Sequence, residues 1–248
     1  MTGAGIGIGQ GIAEELAARG ASVVLHYAHS RDGAEKTVKK INETGGKAIA
    51  VAADLSVVKE CFRLIDEGAE FLGALDILVN NAGVTKTIPF LESEEEDFNL
   101  LFNVNIRGQY FCSQQAARHM IERGGGSIVN ITSVHAFSAL PGHSIYAGTK
   151  GAIVSFTREL AIELIPHRIR VNAVAPGLIE VPRFRADKEY TREKGRGFVP
   201  WGRVGLPEDI AKTVAFLVSD ESELIVGQVL TVDGGLLAKM ATPAHEEK

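Results

Sequence analysis

Short apolar runs alternate with amphipathic stretches along nearly all of this 248-residue chain, and that alternation constrains the fold more than any other feature. The runs Ala21–His26, Lys47–Ala52, Leu75–Val79, Ser127–Thr132, Arg170–Val174 and Val229–Val232 are bounded by Gly, Pro, Asn or Asp and read as strands. Between them, Gln10–Arg19, Arg31–Glu43, Ser56–Leu72, Glu94–Glu122, Tyr146–Leu164 and Pro207–Ser219 carry helical periodicity. Strands interleaved with helices specify a doubly wound, mostly parallel α/β sheet. With no linker or repeat in view, residues 1–240 read as one domain and 241–248 as a frayed tail.

Charge and cysteine content narrow the function. A net charge of −5 gives no basic surface for nucleic acid. The two cysteines, Cys61 and Cys112, fall inside helical stretches and read as reduced, buried thiols. No apolar run reaches membrane-spanning length, and the glycine-rich start is not a signal peptide. We expect a soluble cytoplasmic protein, no membrane or nucleic-acid partner, and no metal site.

Tyr146-Ala147-Gly148-Thr149-Lys150, with Ser133 thirteen residues before the tyrosine, carries the chemistry. Residues four apart share a helix face, so the phenol and the ammonium can point into one pocket. A phenol ordinarily titrates near pH ~10, and a fixed positive charge draws that value towards neutrality. Ser133 ends a strand, and in open α/β sheets ligands bind at the carboxyl ends of strands. An ordinary helical Tyr and Lys pair is the competing account of the five residues alone.

The opening Thr2-Gly3-Ala4-Gly5-Ile6-Gly7-Ile8-Gly9 runs straight into a helix. Glycines let a backbone turn sharply beside a pyrophosphate, and the helix amino terminus offers free N–H groups. Glycine-rich turns also serve as plain connectors; the following βα units make this one a candidate dinucleotide site.

At this point the chain resembles the short-chain dehydrogenase/reductase family over nearly its whole length. The matching pieces are Thr2-Gly3-x-x-x-Gly7-x-Gly9, Asp54, Asn80-Asn81-Ala82-Gly83, Asn105, Ser133, Tyr146-x-x-x-Lys150 and Pro176-Gly177, in the family's order. The resemblance implies a Rossmann-type fold of about seven parallel strands, a nicotinamide cofactor, and reversible hydride transfer to a carbonyl. It is strongest towards beta-ketoacyl carrier-protein reductases and sugar dehydrogenases. It further implies homotetramers or homodimers built through helices matching Glu94–Glu122 and Tyr146–Leu164.

Carried over residue by residue, Tyr146 protonates the carbonyl oxygen or takes the alcohol's proton, and Ser133 hydrogen-bonds the same oxygen. Lys150 holds the nicotinamide ribose and lowers the Tyr146 pKa, and Asn105 anchors a water that connects Lys150 to solvent. Asn105 also reads as a buried amide that satisfies a helix irregularity. Thr2, Gly3, Gly7, Ile8 and Gly9 form the phosphate loop, Asp54 and Leu55 reach the adenine, and Asn81, Ala82 and Gly83 line the adenosine side. Asn80 and Asn81 read equally well as turn residues. Pro176, Gly177 and Ile179 border the nicotinamide carboxamide.

Two departures bear on the cofactor. Tyr27 stands where an acidic residue accepts bonds from the adenosine ribose, while Ser30 and Arg31 could hold a 2′-phosphate. Ile6 sits where many phosphate-preferring relatives carry a basic residue, and Arg31 also reads as a solvated charge at a helix start. The balance favours NADP(H), with NAD(H) as the alternative. Val181 replaces the threonine usual a few residues after Pro-Gly.

Substrate choice rests on 181–206, where Arg183, Arg185, Lys188, Arg192, Lys194, Arg196 and Arg203 outnumber Asp187, Glu189 and Glu193. A positive lid would attract an anionic substrate; a solvated loop is the plainer account. Phe184 and Trp201 are candidate apolar contacts, with core packing as the competing account. His135 and His143 flank Ser133 and Tyr146 and read either as substrate contacts or as structural hydrogen-bonding groups.

One piece of the family pattern has no counterpart: the apolar strand before the glycine loop, since the chain opens at Met1-Thr2. We expect either that a segment preceding Met1 supplies it or that another part of the chain fills its place. A chain that genuinely starts there is expected to bind cofactor less tightly. The leading functional reading is an NAD(P)-dependent oxidoreductase acting on a ketone or secondary alcohol of 3-oxoacyl or sugar type. A non-catalytic nucleotide-binding scaffold is the alternative, and an extended-type epimerase or dehydratase is disfavoured by the glycine spacing.

Overall fold

Six strands among the described residues all pair in parallel, in two groups that face each other across the glycine loop. The structure, a computed structural model, describes residues 1–186 and 190–239. The tail expected at 241–248, and Asp187, Lys188 and Glu189, lie outside the described residues.

Strand β1 (Val23–Tyr27) pairs with β2 (Ala48–Ala52), in register from Val23 opposite Ala48 to Tyr27 opposite Ala52. The larger group runs β3 (Ile77–Asn80), β4 (Gly126–Ile131), β5 (Ile169–Pro176), β6 (Val229–Val232) in space as in sequence. Buried Val, Ile, Leu and Ala fill these strands, as expected for parallel strands covered on both faces. One apolar core packs α3 (Val58–Leu72) and α5 (Gly108–Arg123) against the sheet through Leu64, Cys61, Cys112 and Met120. The other packs α1 (Gly7–Ala18) against α9 (Pro207–Val218) through Ile12, Leu16, Ile210 and Val214. Helices α2 (Arg31–Glu43) and α6 (Ser144–Leu164) complete the layers.

Between β1 and β3, among the described residues, only Met1–Ala4 continues the sheet. Thr2 N–H donates to the Val79 carbonyl at 3.0 Å, Ala4 N–H to His26 at 2.8 Å, and His26 N–H to Met1 at 3.0 Å. The Met1 ammonium, donating to the Val24 carbonyl at 3.0 Å, is buried, which pushes its pKa down to about 6. Beyond it lies a cavity of about 380 Å³ lined by Val24, Leu64, Ile65, Ile77 and Val79 among others. The expectation that another part of the chain fills this place is met only by those four residues. Strand alternation turns the main-chain groups of Ile77 towards the cavity, where no strand of the described residues meets them.

The helix expected across Glu94–Glu122 is interrupted. It is α4 (Glu95–Phe102), a wider π turn at Asn103–Arg107, and then α5. Glycine with φ +93° at Gly124 ends α5, a left-handed cap that a residue with a Cβ adopts at a cost. Two short helices, α7 (Pro182–Ala186) and α8 (Arg192–Phe198), occupy the segment read as a lid.

Candidate active site

Strand β4 delivers Ser133 just past its carboxyl end, and α6 brings Tyr146 and Lys150 across from it. Lys150 is buried because α6 lies against the sheet, and its ammonium donates to the Ile131 carbonyl at 2.9 Å. That burial lowers its pKa to about 8. Thr132 ties strand to helix by donating to the Lys150 carbonyl at 2.8 Å.

The Tyr146 phenol departs from the sequence expectation. Burial raises its pKa above the ordinary phenol value, while the neighbouring Ser133 hydroxyl and the charge of Arg183 pull it down. Lys150 Nζ stands 5.6 Å from the centre of the tyrosine ring and is turned onto Ile131, so it does not set the phenol's value here. In the chain alone, desolvation of the phenolate outweighs the favourable neighbours.

Asn105 lies on the π turn, wholly buried. Its Oδ1 accepts the Val84 N–H at 2.7 Å, and its Nδ2 donates to the Val84 carbonyl at 2.9 Å and the Thr149 hydroxyl at 3.1 Å. The carboxamide thus locks the loop after β3 to α6, at the residue before Lys150. The amide is buried, and its partners Val84 and Thr149 lie off the π turn. A Cβ on Gly83 would lie 3.2 Å from Asn105 Oδ1 and 3.7 Å from Lys150 Nζ, which places the Asn-Asn-Ala-Gly loop against the same cluster.

The nucleotide side gathers as well. The Thr2 hydroxyl accepts the N–H groups of Asn81 and Ala82 at 2.9 and 3.0 Å, and Asn81 Nδ2 donates to the carbonyls of Thr2 and Gly3 at 3.1 and 2.9 Å. Thr2 and Asn81 therefore clasp the loop. Gly9 is required by close approach, since a Cβ there would fall 2.1 Å from the Gly3 carbonyl oxygen. No side chain caps the amino end of α1 and no acidic residue lies in its first turn, so the N–H groups around Gly7, Ile8 and Gly9 stay available. Such an uncapped, glycine-lined helix start fits a dinucleotide diphosphate.

Tyr27 ends β1, its carbonyl accepting the Ala53 N–H at 3.1 Å, and Ser30 packs on Gly5. Arg31 is exposed and ion-paired with Glu35 at 2.7 Å, one turn along α2. Asp54 holds the Ser56 N–H and hydroxyl at 2.9 and 2.7 Å, which keeps its carboxyl below the usual range. Leu55 is buried beneath Gly108. Pro176 closes β5, Gly177 N–H donates to Val232 at 3.0 Å, and Ile179 is buried. Val181 packs on Gly7, so the lid segment touches the glycine loop.

His135 and His143 stand beside Tyr146, with ring centres 5.3 and 6.4 Å from the phenol ring. His143 is held by the Pro141 carbonyl at 3.0 Å and the Thr87 hydroxyl at 3.2 Å. His135 Nδ1 is buried without a partner, and burial lowers the ring's pKa. Phe184 stacks on Tyr190 at 5.5 Å, whereas Trp201 is exposed.

Sequence reasoning passed over two groups. His26 was visible only as a histidine inside an apolar run, yet its ring joins the glycine turn to the end of β2. Glu180, buried four residues past the end of β5, accepts both fork nitrogens of Arg192 at 2.8 and 2.9 Å and so ties α8 to the segment after that strand. Nothing in the local sequence marks that pairing across the lid.

A glycine-lined diphosphate seat at one strand end, with a Ser, Tyr and Lys cluster at the next, defines a dinucleotide-dependent oxidoreductase of the doubly wound class. A family model described as enoyl-(acyl carrier protein) reductase matches residues 3–237. The chain is 41% identical to the hydroxynaphthalene reductase-like protein Arp2 of Metarhizium majus, over 95% of this chain and 92% of that one. It is likewise 41% identical to versicolorin reductase 1 of Aspergillus parasiticus, over 95% and 94%. Among solved structures it is similar to acetoin dehydrogenase from Enterobacter cloacae, with TM-score 0.90, 38% identity, and 99% and 96% of the chains covered. A 7α-hydroxysteroid dehydrogenase complexed with NADH and 7-oxo glycochenodeoxycholic acid matches with TM-score 0.89 and 37% identity, over 94% and 91%. The chain belongs to the short-chain dehydrogenase/reductase family and is an NAD(P)-dependent oxidoreductase. No helix of the described residues is long and apolar enough to cross a membrane.

Proposed function

We propose that this enzyme interconverts a ketone and its secondary alcohol, with Tyr146 as the acid and base. The observation that carries the reading is the meeting of Ser133, Tyr146 and Lys150 at the carboxyl end of β4, braced by Asn105. A bound nicotinamide supplies or accepts the hydride. Ser133 orients the carbonyl oxygen by hydrogen bonding and stabilises charge that develops on it. Tyr146 gives that oxygen a proton, or takes one from the alcohol. Lys150 holds the ribose side of the cofactor, its ammonium shifting from the Ile131 carbonyl, and in doing so comes to favour the phenolate. Asn105, on the π turn, anchors a water that connects Lys150 to solvent.

For the cofactor, Thr2, Gly3, Gly7, Ile8 and Gly9 take the diphosphate; Asp54, Leu55, Asn81, Ala82 and Gly83 take the adenosine side; and Pro176, Gly177 and Ile179 take the nicotinamide side. We favour NADP(H) over NAD(H), with Ser30 and Arg31 meeting the 2′-phosphate once Arg31 leaves Glu35. The substrate is a carbonyl compound carrying a second oxygen nearby, as 3-oxoacyl and sugar-type substrates do; the names acetoin dehydrogenase and hydroxynaphthalene reductase-like protein support that class. Exposed Tyr110 and Ile121 on α5 and Ile162 on α6 support a homo-oligomer built through those helices. Buried, unpaired Cys61 and Cys112 accord with a cytoplasmic location.

A scaffold that binds nucleotide without turnover is the second reading, favoured by the cavity between β1 and β3. Titrating NADPH and NADH by fluorescence and then following cofactor oxidation over a panel of hydroxyketones, diketones and 3-oxoacyl thioesters decides between them. Binding with no turnover on any member would favour the scaffold.

A further inference from the structure

His26 lies at the end of β1, 2% exposed, and every polar atom it owns is engaged. Its main-chain N–H donates to Met1 at 3.0 Å and its carbonyl accepts the Ala4 N–H at 2.8 Å. The ring adds two more bonds: Nδ1 accepts the Gly3 N–H at 3.0 Å, and Nε2 donates to the Ala53 carbonyl at 3.0 Å. This donor and acceptor pattern requires the neutral Nε2–H tautomer. Burial, the largest influence on the ring, holds its pKa down to about 4, so Nδ1 keeps its lone pair at working pH.

The bonds matter because of where they fall. Among the described residues Met1–Ala4 bridge β1 and β3, and the base of the glycine loop is held from both sides. Thr2 and Asn81 make the clasp on the β3 side, and His26 makes the clasp on the β1 side. Gly3 sits between the clasps with φ +61°, a conformation that aims its N–H at Nδ1, and a Cβ there would strike the Ala82 backbone at 2.8 Å. The Nε2 bond extends the clasp to Ala53, the residue before Asp54 on the adenosine side.

We propose that His26 is a positioning residue for the dinucleotide site, holding the glycine loop to the ends of β1 and β2 through its ring, so that cofactor affinity depends on it without contact. The proposal rests on the nicotinamide-dependent reading above. A side chain of similar volume with no acceptor leaves the buried Gly3 N–H unmatched, and the loop gives up its position to recover a partner. Asparagine restores the acceptor, since its Oδ1 falls near the place of Nδ1.

The test compares the 248-residue chain with its His26→Phe and His26→Asn variants by fluorescence titration of NADPH and NADH. The expected result is a Kd raised about tenfold for both cofactors in His26→Phe and largely recovered in His26→Asn. The KM for the carbonyl substrate at saturating cofactor should move far less. An unchanged Kd in His26→Phe, or an Asn variant as weak as Phe, would overturn the proposal. Should the Phe variant not fold, 15N-labelled histidine in the unmodified chain decides, with an unprotonated Nδ1 on His26 expected and a protonated one overturning the clasp. If the unmodified chain binds neither cofactor, the cofactor reading fails, while the tautomer still reports on the clasp separately.

Discussion

Lys150 Nζ stands 5.6 Å from the centre of the Tyr146 ring, close enough to act on the phenol yet turned onto the Ile131 carbonyl at 2.9 Å. The pair is therefore half-assembled in the chain alone: the ammonium is satisfied by main chain and the phenol's pKa is raised by burial. In the proposed mechanism the ammonium turns from the Ile131 carbonyl towards the cofactor.

Replacing Tyr146 by phenylalanine removes the proton donor and keeps the ring. We expect kcat to fall by about 10²–10⁴-fold with cofactor Kd within a factor of about two. Turnover that survives Tyr146→Phe would refute the acid–base assignment.

Lys150 makes stability depend on pH. Its folded pKa of about 8 is below the 10.5 of an exposed lysine, so below pH 8 both states hold the proton and the folded chain bears the whole burial penalty. Between those values the unfolded chain binds the extra proton, and stability rises with pH by up to about 3 kcal/mol. Urea melts at pH 7.5 to 9.5 should show about 2 kcal/mol of that rise in the parent and none in Lys150→Met.

Asn105→Ala strips three hydrogen bonds from a buried junction and leaves the Val84 N–H without its partner. We expect about 2–3 kcal/mol of lost stability in denaturant melts and a lower kcat in whatever protein folds. An unaltered melting curve would contradict the bracing role.

The Arg192 fork on Glu180 anchors α8 from a largely solvent-exposed guanidinium, so its worth is modest. Arg192→Ala should speed tryptic cleavage within 194–203. Equal cleavage rates in parent and variant would show that the fork does not restrain the lid.

Cys61 and Cys112 are fully buried between α3 and α5. A thiol reagent should label neither in the native protein and both in denaturant. Rapid native labelling of either would mean that the α3–α5 packing opens readily.

Local pattern was enough for much of the fold. Arg31–Glu43 and Val229–Val232 have the bounds that periodicity and flanking turn residues indicate, because helix and strand periods are local properties of the chain. The spacing of Tyr146 and Lys150 on one helix, and Ser133 after an apolar run, was likewise readable as a site. The π turn at Asn105 was not: its extra residue is stabilised by Val84 and Thr149, which are distant in sequence.

The sequence by itself thus determined the order of strands and helices, the glycine turn and the candidate trio of Ser133, Tyr146 and Lys150, all set by short-range spacing. Tertiary structure alone decided that Lys150 rests on Ile131, that burial outweighs charge at Tyr146, that Glu180 meets Arg192, and that His26 reaches Gly3 and Ala53. Each of those depends on desolvation or on partners brought together by packing, and neither quantity exists until the sheet has closed around it.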